Sequence, residues 1–316
     1  MSNAHLVGAD VGGTNVKYLV LDADGRRQRE GSIDTDPQDP ADTIARLAAA
    51  VQVPRPAGVG LACAGIVAPG SGMLGRSPNL PGWENGNLKH VLAGAFGEVP
   101  LAVANDVNAA LYGEYRHGAG RGCRHLVMIA LGTGVGGGVL VDGRLYTGFA
   151  DGAGEIGHMT LDLDGPLCQC GNPGCLEAFC ASVGLLRRAR ELAAAPEATP
   201  AFGELVTARG AELTTRDCAE LAEQGDATAR YLFAESGRRL GQAVASLVNI
   251  LAPDRVIIGG GVAQAGELLL APCRAMVADF IMSEAGRATP VMAAALGTHA
   301  AAMGAAALAA EAGADS

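Results

Sequence analysis

The chain has 316 residues, of which 49% are hydrophobic and 18% charged. This length suffices for two packed domains, because single hydrophobic cores rarely grow beyond about 250–300 residues, and the composition excludes a largely disordered chain. The net charge of -10 excludes a broad basic surface, so neither nucleic acid nor an anionic membrane is an expected partner. No basic segment followed by an apolar one opens the sequence, which predicts a cytoplasmic protein.

The first hundred residues alternate strand and helix patterns, which predicts an α/β domain with a mixed sheet. A strand, a Gly-Gly-Thr-Asn turn and a second strand come first, so the opening is a meander and not a strand feeding a helix. The predicted elements are strands over 6–11 and 16–21, a turn at Asp24-Gly25, a helix over 40–51, a strand over 58–62, a helix over 88–95 and a strand over 99–104.

The opening pattern recurs further along the chain. A shift of 120 positions places residues 5–22 over residues 125–142, and both copies run strand, Gly/Thr turn, strand, Asp. This agreement favours a duplicated fold, with two α/β halves around a cleft and a glycine turn from each half pointing into it.

The second half contains a polar segment, a long helical pattern and a buried strand. Residues 193–225 are polar with weak periodicity, which predicts a surface excursion. Asp226 opens a helical pattern that continues to Leu251, and DRVIIGGGV then predicts a buried strand that ends in a glycine turn. The residues expected to supply the apolar face of the helix are Tyr231, Phe233, Leu240, Val244 and Leu247.

Three glycine-rich turns follow predicted strands. Glycine at a strand end lets the backbone approach a ligand closely and turns successive N–H groups toward one anion, so each turn is a candidate phosphate site, with a tight hairpin as the alternative. The turns are Gly12-Gly13-Thr14, Gly132-Thr133-Gly134 and Gly259-Gly260-Gly261.

The standard nucleotide motifs do not account for these turns. Residues 132–137 match GxGxxG, but a strand follows them, whereas a dinucleotide-binding glycine loop opens a helix. No GxxxxGK[ST] string occurs in the sequence, which excludes a Walker-type phosphate loop.

One imidazole and three thiols crowd into a short glycine-rich segment, EIGHMTLDLDGPLCQCGNPGCLE. His158, Cys168, Cys170 and Cys175 form a donor set typical of tetrahedral Zn²⁺, and four protein ligands make the metal structural. Cys180 could replace one ligand, but it falls in the next predicted helix. The other five cysteines are expected in hydrophobic cores.

A polar pair, Asn105-Asp106, follows the predicted strand over 99–104. A carboxylate at the end of a strand is well placed to take a proton from a hydroxyl group, although the pair could equally be a helix N-cap. Glu155, His158 and Glu177 flank the zinc segment, so a bound zinc would fix two carboxylates and an imidazole.

Six segments together resemble the ROK family of sugar kinases and repressors, above all its bacterial ATP-dependent glucokinases. They cover nearly the whole chain in the family's order, and the zinc string is the most specific of them. The segments are DVGGTNVK, SPNLPGW, ANDVNAA, LGTGVGGG, the zinc string over 155–177 and IIGGGV.

The resemblance implies the actin-like ATPase (duplicated ribonuclease H-like) fold, α/β in class, and a role for each matching residue. Asp106 would be the general base, and Asp10 would lie near Mg²⁺ and the phosphates of ATP. The sugar-binding set is Asn79, Asn105, Asp106, Glu155, His158 and Glu177. The nucleotide-binding set is Asp10, Gly12, Gly13, Thr14, Asn15, Lys17, Gly132, Thr133, Gly134, Gly260 and Gly261.

From the residues and the resemblance together we predict a hexokinase-type enzyme that uses Mg-ATP, has structural Zn²⁺ and assembles as a homodimer or homotetramer. The expected domains are a small one over 1–104, on which a C-terminal helix over about 298–312 packs, and a large one over 105–297. Glucose is the expected sugar, with N-acetylmannosamine, N-acetylglucosamine, fructose or allose as alternatives.

Three other classes of protein are weaker alternatives. A sugar-responsive repressor would need a helix-turn-helix segment ahead of the first strand, and only five residues precede Leu6. A nicotinamide-dependent oxidoreductase rests on the GxGxxG match alone, and polyphosphate-using members of the family tend to lack the zinc string.

Overall fold

Residues 5–77 and 79–314 are described by the structure, a computed structural model. The chain folds into two compact units. The first unit holds the residues up to Cys123, the segment Gly138–Ala153 and the residues from Ala295 onward, and the second holds Arg124–Gly137 and Gly154–Ala294. The units therefore do not divide after residue 104, where the sequence placed the domain boundary.

The first unit is built on a five-stranded sheet of order β3-β2-β1-β4-β7. β1 pairs antiparallel with β2 and parallel with β4, which in turn is parallel to β7. Its elements are β1 (Leu6–Val11), β2 (Asn15–Leu21), β3 (Arg27–Asp34), α1 (Pro40–Val51), β4 (Gly58–Cys63), β5 (Val67–Ala68), β6 (Met73–Leu74), α2 (Leu88–Phe96), β7 (Leu101–Asn105), α3 (Asp106–His117) and α11 (Ala300–Ala314).

α11 is the helix expected over about 298–312, and it packs on β1 and β4. Because the helix consists mostly of alanines, its backbone lies so close to the sheet that the sheet residues facing it must be glycines. A Cβ at Gly8 would lie 1.9 Å from the Ala302 carbonyl oxygen, and one at Gly60 would lie 1.8 Å from that of Ala305. The small-residue composition of the C-terminus is therefore a packing requirement.

The second sheet has the order β10-β9-β8-β11-β12, which repeats the strand order of the first sheet. This repetition confirms the duplication predicted from residues 5–22 and 125–142. The elements are β8 (Leu126–Leu131), β9 (Val135–Val141), β10 (Arg144–Leu145), α4 (Leu176–Cys180), α5 (Ser182–Ala193), α6 (Pro200–Arg209), α7 (Thr215–Glu223), α8 (Ala227–Leu251), β11 (Arg255–Gly259), α9 (Glu267–Phe280), α10 (Glu284–Arg287) and β12 (Val291–Ala293).

Two predictions about local structure are wrong. The segment over 193–225 is not only a surface excursion, because it contains α6 and α7 and buries Phe202 and Cys218 in the hydrophobic core. Tyr231 does not belong to the apolar face of α8: its side chain is 45% exposed, and the Arg238 guanidinium lies 5.8 Å from its ring centroid.

The helical start at Asp226 is confirmed, since its side chain accepts a hydrogen bond from the Ala229 N–H at 2.8 Å. Over residues 5–77 and 79–314, none of the helices combines the length and the apolar composition needed to span a bilayer.

Candidate active site

The carboxyl ends of three parallel strands in the first unit carry the candidate catalytic groups. The register sets Val11 opposite Cys63, and Cys63 opposite Asn105. Asp10 therefore lies near the end of β1, and Asp106 directly follows β7 as the first residue of α3. Parallel strands end at one edge of a sheet, so the two aspartates share this edge.

Asn105 is the N-cap of α3. Its Oδ1 accepts hydrogen bonds from the N–H groups of Val107 at 2.9 Å and Asn108 at 3.1 Å, while its Nδ2 donates to the Gly65 carbonyl at 3.1 Å. The Val107 N–H also lies 2.9 Å from Asp106 Oδ1. The helix-cap alternative thus holds for Asn105 and leaves Asp106 as a carboxylate oriented by the first turn of the helix.

Burial dominates the electrostatics of this edge. It raises the pKa of Asp10 to about 6, with the Asp106 carboxylate adding to the rise and Lys17 opposing it. Burial likewise raises the pKa of Asp106, against the Val107 N–H, which favours the charged form. The pKa of the Cys63 thiol rises to about 12 through burial and the two aspartates. Clustered carboxyl groups with raised pKa values are typical of catalytic sites.

The first glycine turn connects β1 to β2. The Gly12 N–H donates to the Asn15 carbonyl at 3.0 Å, and Thr35, the residue after β3, holds the turn through its hydroxyl, which donates to the Gly12 carbonyl at 2.8 Å. The exposed Thr14 accepts at its carbonyl from the Thr35 N–H at 2.8 Å.

Asn79, the sugar-binding candidate, lies against this turn. A Cβ on Gly13 would come within 3.1 Å of Asn79 Cβ and 3.2 Å of its carbonyl oxygen. The structure thereby brings Asn79 beside the first phosphate candidate. Lys17 is exposed and stands opposite Asp10 in the β1–β2 register.

The two remaining glycine turns meet in the second unit. The Gly132 N–H donates to the Gly134 carbonyl at 2.9 Å, with Thr133 exposed at the tip. Gly260 has φ +90°, and a Cβ there would lie 2.3 Å from the Leu131 carbonyl oxygen, so the position requires glycine. Next to it, Gly261 lines a cavity of about 200 Å³.

The four predicted metal ligands converge in the second unit, with their donor atoms all within 4.8 Å of one another. His158 Nδ1 lies 3.8 Å from Cys168 Sγ, and Cys170 Sγ lies 3.6 Å from Cys175 Sγ. Thiolate and imidazole donors at about 2.3 and 2.0–2.1 Å from a tetrahedral Zn²⁺ would be separated by about these distances. The donor set and its spacing therefore fit zinc.

The cysteines outside this cluster are buried, as expected. They are Cys63, Cys123, Cys180, Cys218 and Cys273. Cys180 is not part of the cluster: its thiol lies 3.4 Å from the Ser236 carbonyl oxygen in the core.

The carboxylates near the metal cluster differ in their contacts. Glu177 on α4 accepts a hydrogen bond from the Val135 N–H at Oε2, at 3.0 Å, and its Oε1 lies 3.3 Å from Cys168 Sγ. Glu155 is exposed and precedes the 3₁₀ turn Ile156–His158, accepting the His158 N–H at its carbonyl at 3.1 Å. Since His158 turns Nδ1 to the cluster, its Nε2 is the nitrogen left for a hydroxyl.

Residues 6–312 match the ROK family. The chain is 35% identical over 300 residues to the glucokinase of Thermotoga maritima, with 89% of this chain and 90% of the relative covered. The chain belongs to the ROK family. A second ROK relative, the glucokinase of Streptomyces coelicolor, is 33% identical over 314 residues and covers 96% of this chain and 97% of its own length.

A solved ROK structure has the same architecture. The ROK family glucokinase from Streptomyces griseus, in complex with glucose and AMPPNP, matches with a TM-score of 0.80 and 34% identity over 96% of this chain and 99% of that chain. This chain has the actin-like ATPase fold. The repeated strand order of its two sheets is the duplication that this fold contains.

Two features of the candidate site were missed by sequence reasoning. α7 lines the cavity beside Gly261 through Thr215, Ala219 and Glu220, whereas the polar sequence of its segment predicts a surface excursion. The Thr214–Asp217 capping box, with Thr214 Oγ1 accepting the Asp217 N–H at 3.2 Å, was the available signal for this helix. Nothing in the sequence signalled the contact between Glu177 and Val135.

Proposed function

We propose that this chain is an ATP-dependent hexose kinase that transfers the γ-phosphoryl group to glucose and forms glucose 6-phosphate. The observation that carries the proposal is the placement of Asp106. It is a half-buried carboxylate with a raised pKa at the carboxyl end of a parallel strand, oriented by the capped first turn of α3, in a chain whose full-length relatives include glucokinases.

Asp106 acts as the general base. The sugar hydroxyl oxygen attacks the γ-phosphorus, the bond from that phosphorus to the β–γ bridging oxygen breaks, the hydroxyl proton moves to Asp106 and ADP leaves. A carboxylate whose pKa is raised by burial takes this proton more readily than a solvated one. The contacts of Asn105 with Val107, Asn108 and Gly65 fix the backbone that carries the base.

The nucleotide is held mainly by backbone groups. In this proposal the N–H groups of Gly13-Thr14 and Thr133-Gly134 are directed at the phosphates, since those of Gly12 and Gly132 donate within their own turns, and Gly260-Gly261 lies against the adenosine. The cavity between α7 and Gly261 supports the last assignment. Such sites need no net positive charge, which agrees with a chain of charge -10.

Mg²⁺ and Zn²⁺ have separate roles. Oxygen ligands suit Mg²⁺, and Asp10 is the residue proposed to lie near it, with Asn15 and the Lys17 ammonium on the adjacent strand. When bound, Mg²⁺ neutralises charge on the phosphates. The donor set His158, Cys168, Cys170 and Cys175 would close the shell of Zn²⁺, which would make the zinc structural.

The sugar hydroxyls are assigned to amide, imidazole and carboxylate side chains. They are Asn79, Asn105, Glu155, His158 and Glu177. Metal ligation through Nδ1 would fix the ring of His158 and keep Nε2 for a hydroxyl. Homo-oligomeric assembly and a cytoplasmic location are the further expectations from the family resemblance.

The test is ADP release from Mg-ATP across a panel of glucose, fructose, allose, N-acetylglucosamine and N-acetylmannosamine. We expect the highest kcat/KM with glucose. ADP release with a different hexose would change the assigned substrate but support the kinase activity. A lack of ADP release with every sugar would contradict the proposal. A parallel assay with polyphosphate checks the phosphoryl donor.

A further inference from the structure

Glu177 makes direct contact with both the metal cluster and the second glycine turn. Its Oε2 accepts the Val135 N–H at 3.0 Å, and its Oε1 lies 3.3 Å from the sulfur of Cys168. All three residues belong to the second unit. One carboxylate therefore spans the distance between a proposed zinc ligand and the backbone immediately after Gly132–Gly134.

The turn has little freedom to move independently of this carboxylate. A Cβ on Gly134 would lie 2.6 Å from Glu177 Oε2, so the turn and the carboxylate are packed against each other. A second bond fixes the other end of the turn, because the Ser182 N–H at the start of α5 donates to the Gly132 carbonyl at 2.9 Å. The chain from α4 to α5 thus holds the turn at both ends.

The helix that carries Glu177, α4, follows directly after one of the proposed metal ligands. Cys175 is the residue before α4, and the Leu176 N–H donates to the Met159 carbonyl at 2.9 Å, next to His158. The position of α4, and with it the Glu177 carboxylate, depends on the loop that carries the metal ligands.

We propose that Glu177 is a positioning residue that couples the metal cluster to the Gly132–Gly134 turn, so that loss of the cluster weakens nucleotide binding as well as sugar binding. The inference rests on the proposed function, because it requires that the turn binds nucleotide phosphates. It adds to the sugar-binding role assigned to Glu177 a second role that does not require sugar.

Two substitutions separate these roles. Glu177→Gln keeps a carbonyl oxygen to accept the Val135 N–H, and it replaces the S–H···O contact with Cys168 by an N–H···S contact, because its NH₂ group can donate to the sulfur. Glu177→Ala removes both and leaves the Val135 N–H without its acceptor. A positioning role predicts rescue by glutamine, which a requirement for the negative charge does not.

The experiment is calorimetric titration of Mg-AMPPNP without sugar. We expect Glu177→Ala to raise Kd about tenfold, which corresponds to about 1.4 kcal/mol, Glu177→Gln to stay within about threefold of the unsubstituted chain, and Cys170→Ala, which removes a metal ligand, to behave like Glu177→Ala. Glu191→Ala, which removes an exposed carboxylate from α5, is the matched control and should leave Kd unchanged.

Amide exchange at Val135 reports on the contact itself. We expect faster exchange in Glu177→Ala and unchanged exchange in Glu177→Gln, with zinc content and melting temperature measured on each variant. If Glu177→Ala does not fold, Glu177→Asp replaces it, because a side chain one methylene shorter cannot make both contacts.

The outcomes are distinct. Nucleotide affinity in Glu177→Ala equal to that of the unsubstituted chain would overturn the inference, and so would a Glu177→Gln variant as weak as Glu177→Ala. An unsubstituted chain that does not bind Mg-AMPPNP would instead contradict the proposed function.

Discussion

The side chain of Asn105 caps the helix that Asp106 begins, through Oδ1 contacts of 2.9 and 3.1 Å with the next two N–H groups. The cap belongs to the residue before the proposed base, so removing it disturbs the position of that base.

We predict that Asn105→Ala lowers both stability and turnover. Loss of an N-cap costs about 1 kcal/mol, and the displaced first turn should lower kcat at least tenfold because Asp106 is misplaced. Asp39→Ala, which removes the cap of α1 (Asp39 accepts the Asp42 N–H at 3.0 Å), is the control with a similar stability loss and normal kcat. Equal kcat in both variants would contradict the role of Asn105.

We predict that a side chain filling the cavity beside Gly261 weakens ATP binding and leaves glucose binding unchanged. Ala219→Phe places a ring in a volume of about 200 Å³, so we expect KM for ATP to rise at least tenfold while glucose binding is unchanged. Ala208→Phe on the exposed face of α6 is the control. An unaltered KM for ATP would remove α7 from the nucleotide site.

The metal cluster predicts about one zinc per chain by elemental analysis. Cys170→Ala should lose the metal and weaken glucose binding, because His158 is no longer held at its Nδ1. Cys180→Ala, a buried cysteine outside the cluster, should keep the zinc. Protein purified without chelators that contains no zinc would contradict the assignment.

The raised pKa of Asp10 predicts that the stability of the fold depends on pH. Its pKa is raised to about 6, so the folded chain binds this proton more tightly than the unfolded chain, and the group stabilises the fold at low pH and ceases to do so as pH rises through about 6. Without Mg-ATP, Asp10→Asn should therefore increase the free energy of unfolding at pH 7.5, by up to about 3 kcal/mol, and by much less at pH 4. At the same time it should abolish turnover.

Asp254 is the control, because its pKa is lowered and its substitution should change stability in the opposite direction. The N–H groups of Arg124 and His125 lower its pKa, so Asp254→Asn should reduce stability at pH 7.5. Urea unfolding at both pH values measures these differences. An Asp10→Asn effect that does not change with pH would contradict the raised pKa.

The buried strands and the candidate metal ligands could be predicted from the sequence because each has a local signature. Apolar runs that end in glycines mark the buried strands, and a histidine with three cysteines at short spacing marks the cluster. β3 was not predicted, because its residues are mostly exposed and include Arg27, Arg29 and Glu30. Its polar sequence lacks the alternation that identifies a strand.

The contacts that join the site residues could not be predicted in this way. Asn79 lies against Gly13, and Glu177 reaches Val135, 42 positions away, only because the loops between them fold back. Such contacts depend on tertiary packing. The same is true of the raised pKa of Asp10, which results from burial and from a carboxylate 96 positions further along the chain.

The central claim is that Asp106 takes the proton of the attacking hydroxyl, and Asp106→Asn tests it most directly. The measurement is the rate of ADP release at saturating glucose and Mg-ATP, with glucose affinity determined separately and Asp34→Asn, an exposed aspartate, as control. We predict a fall of at least about a thousandfold with glucose affinity largely retained. Turnover near that of the unsubstituted chain would contradict the account.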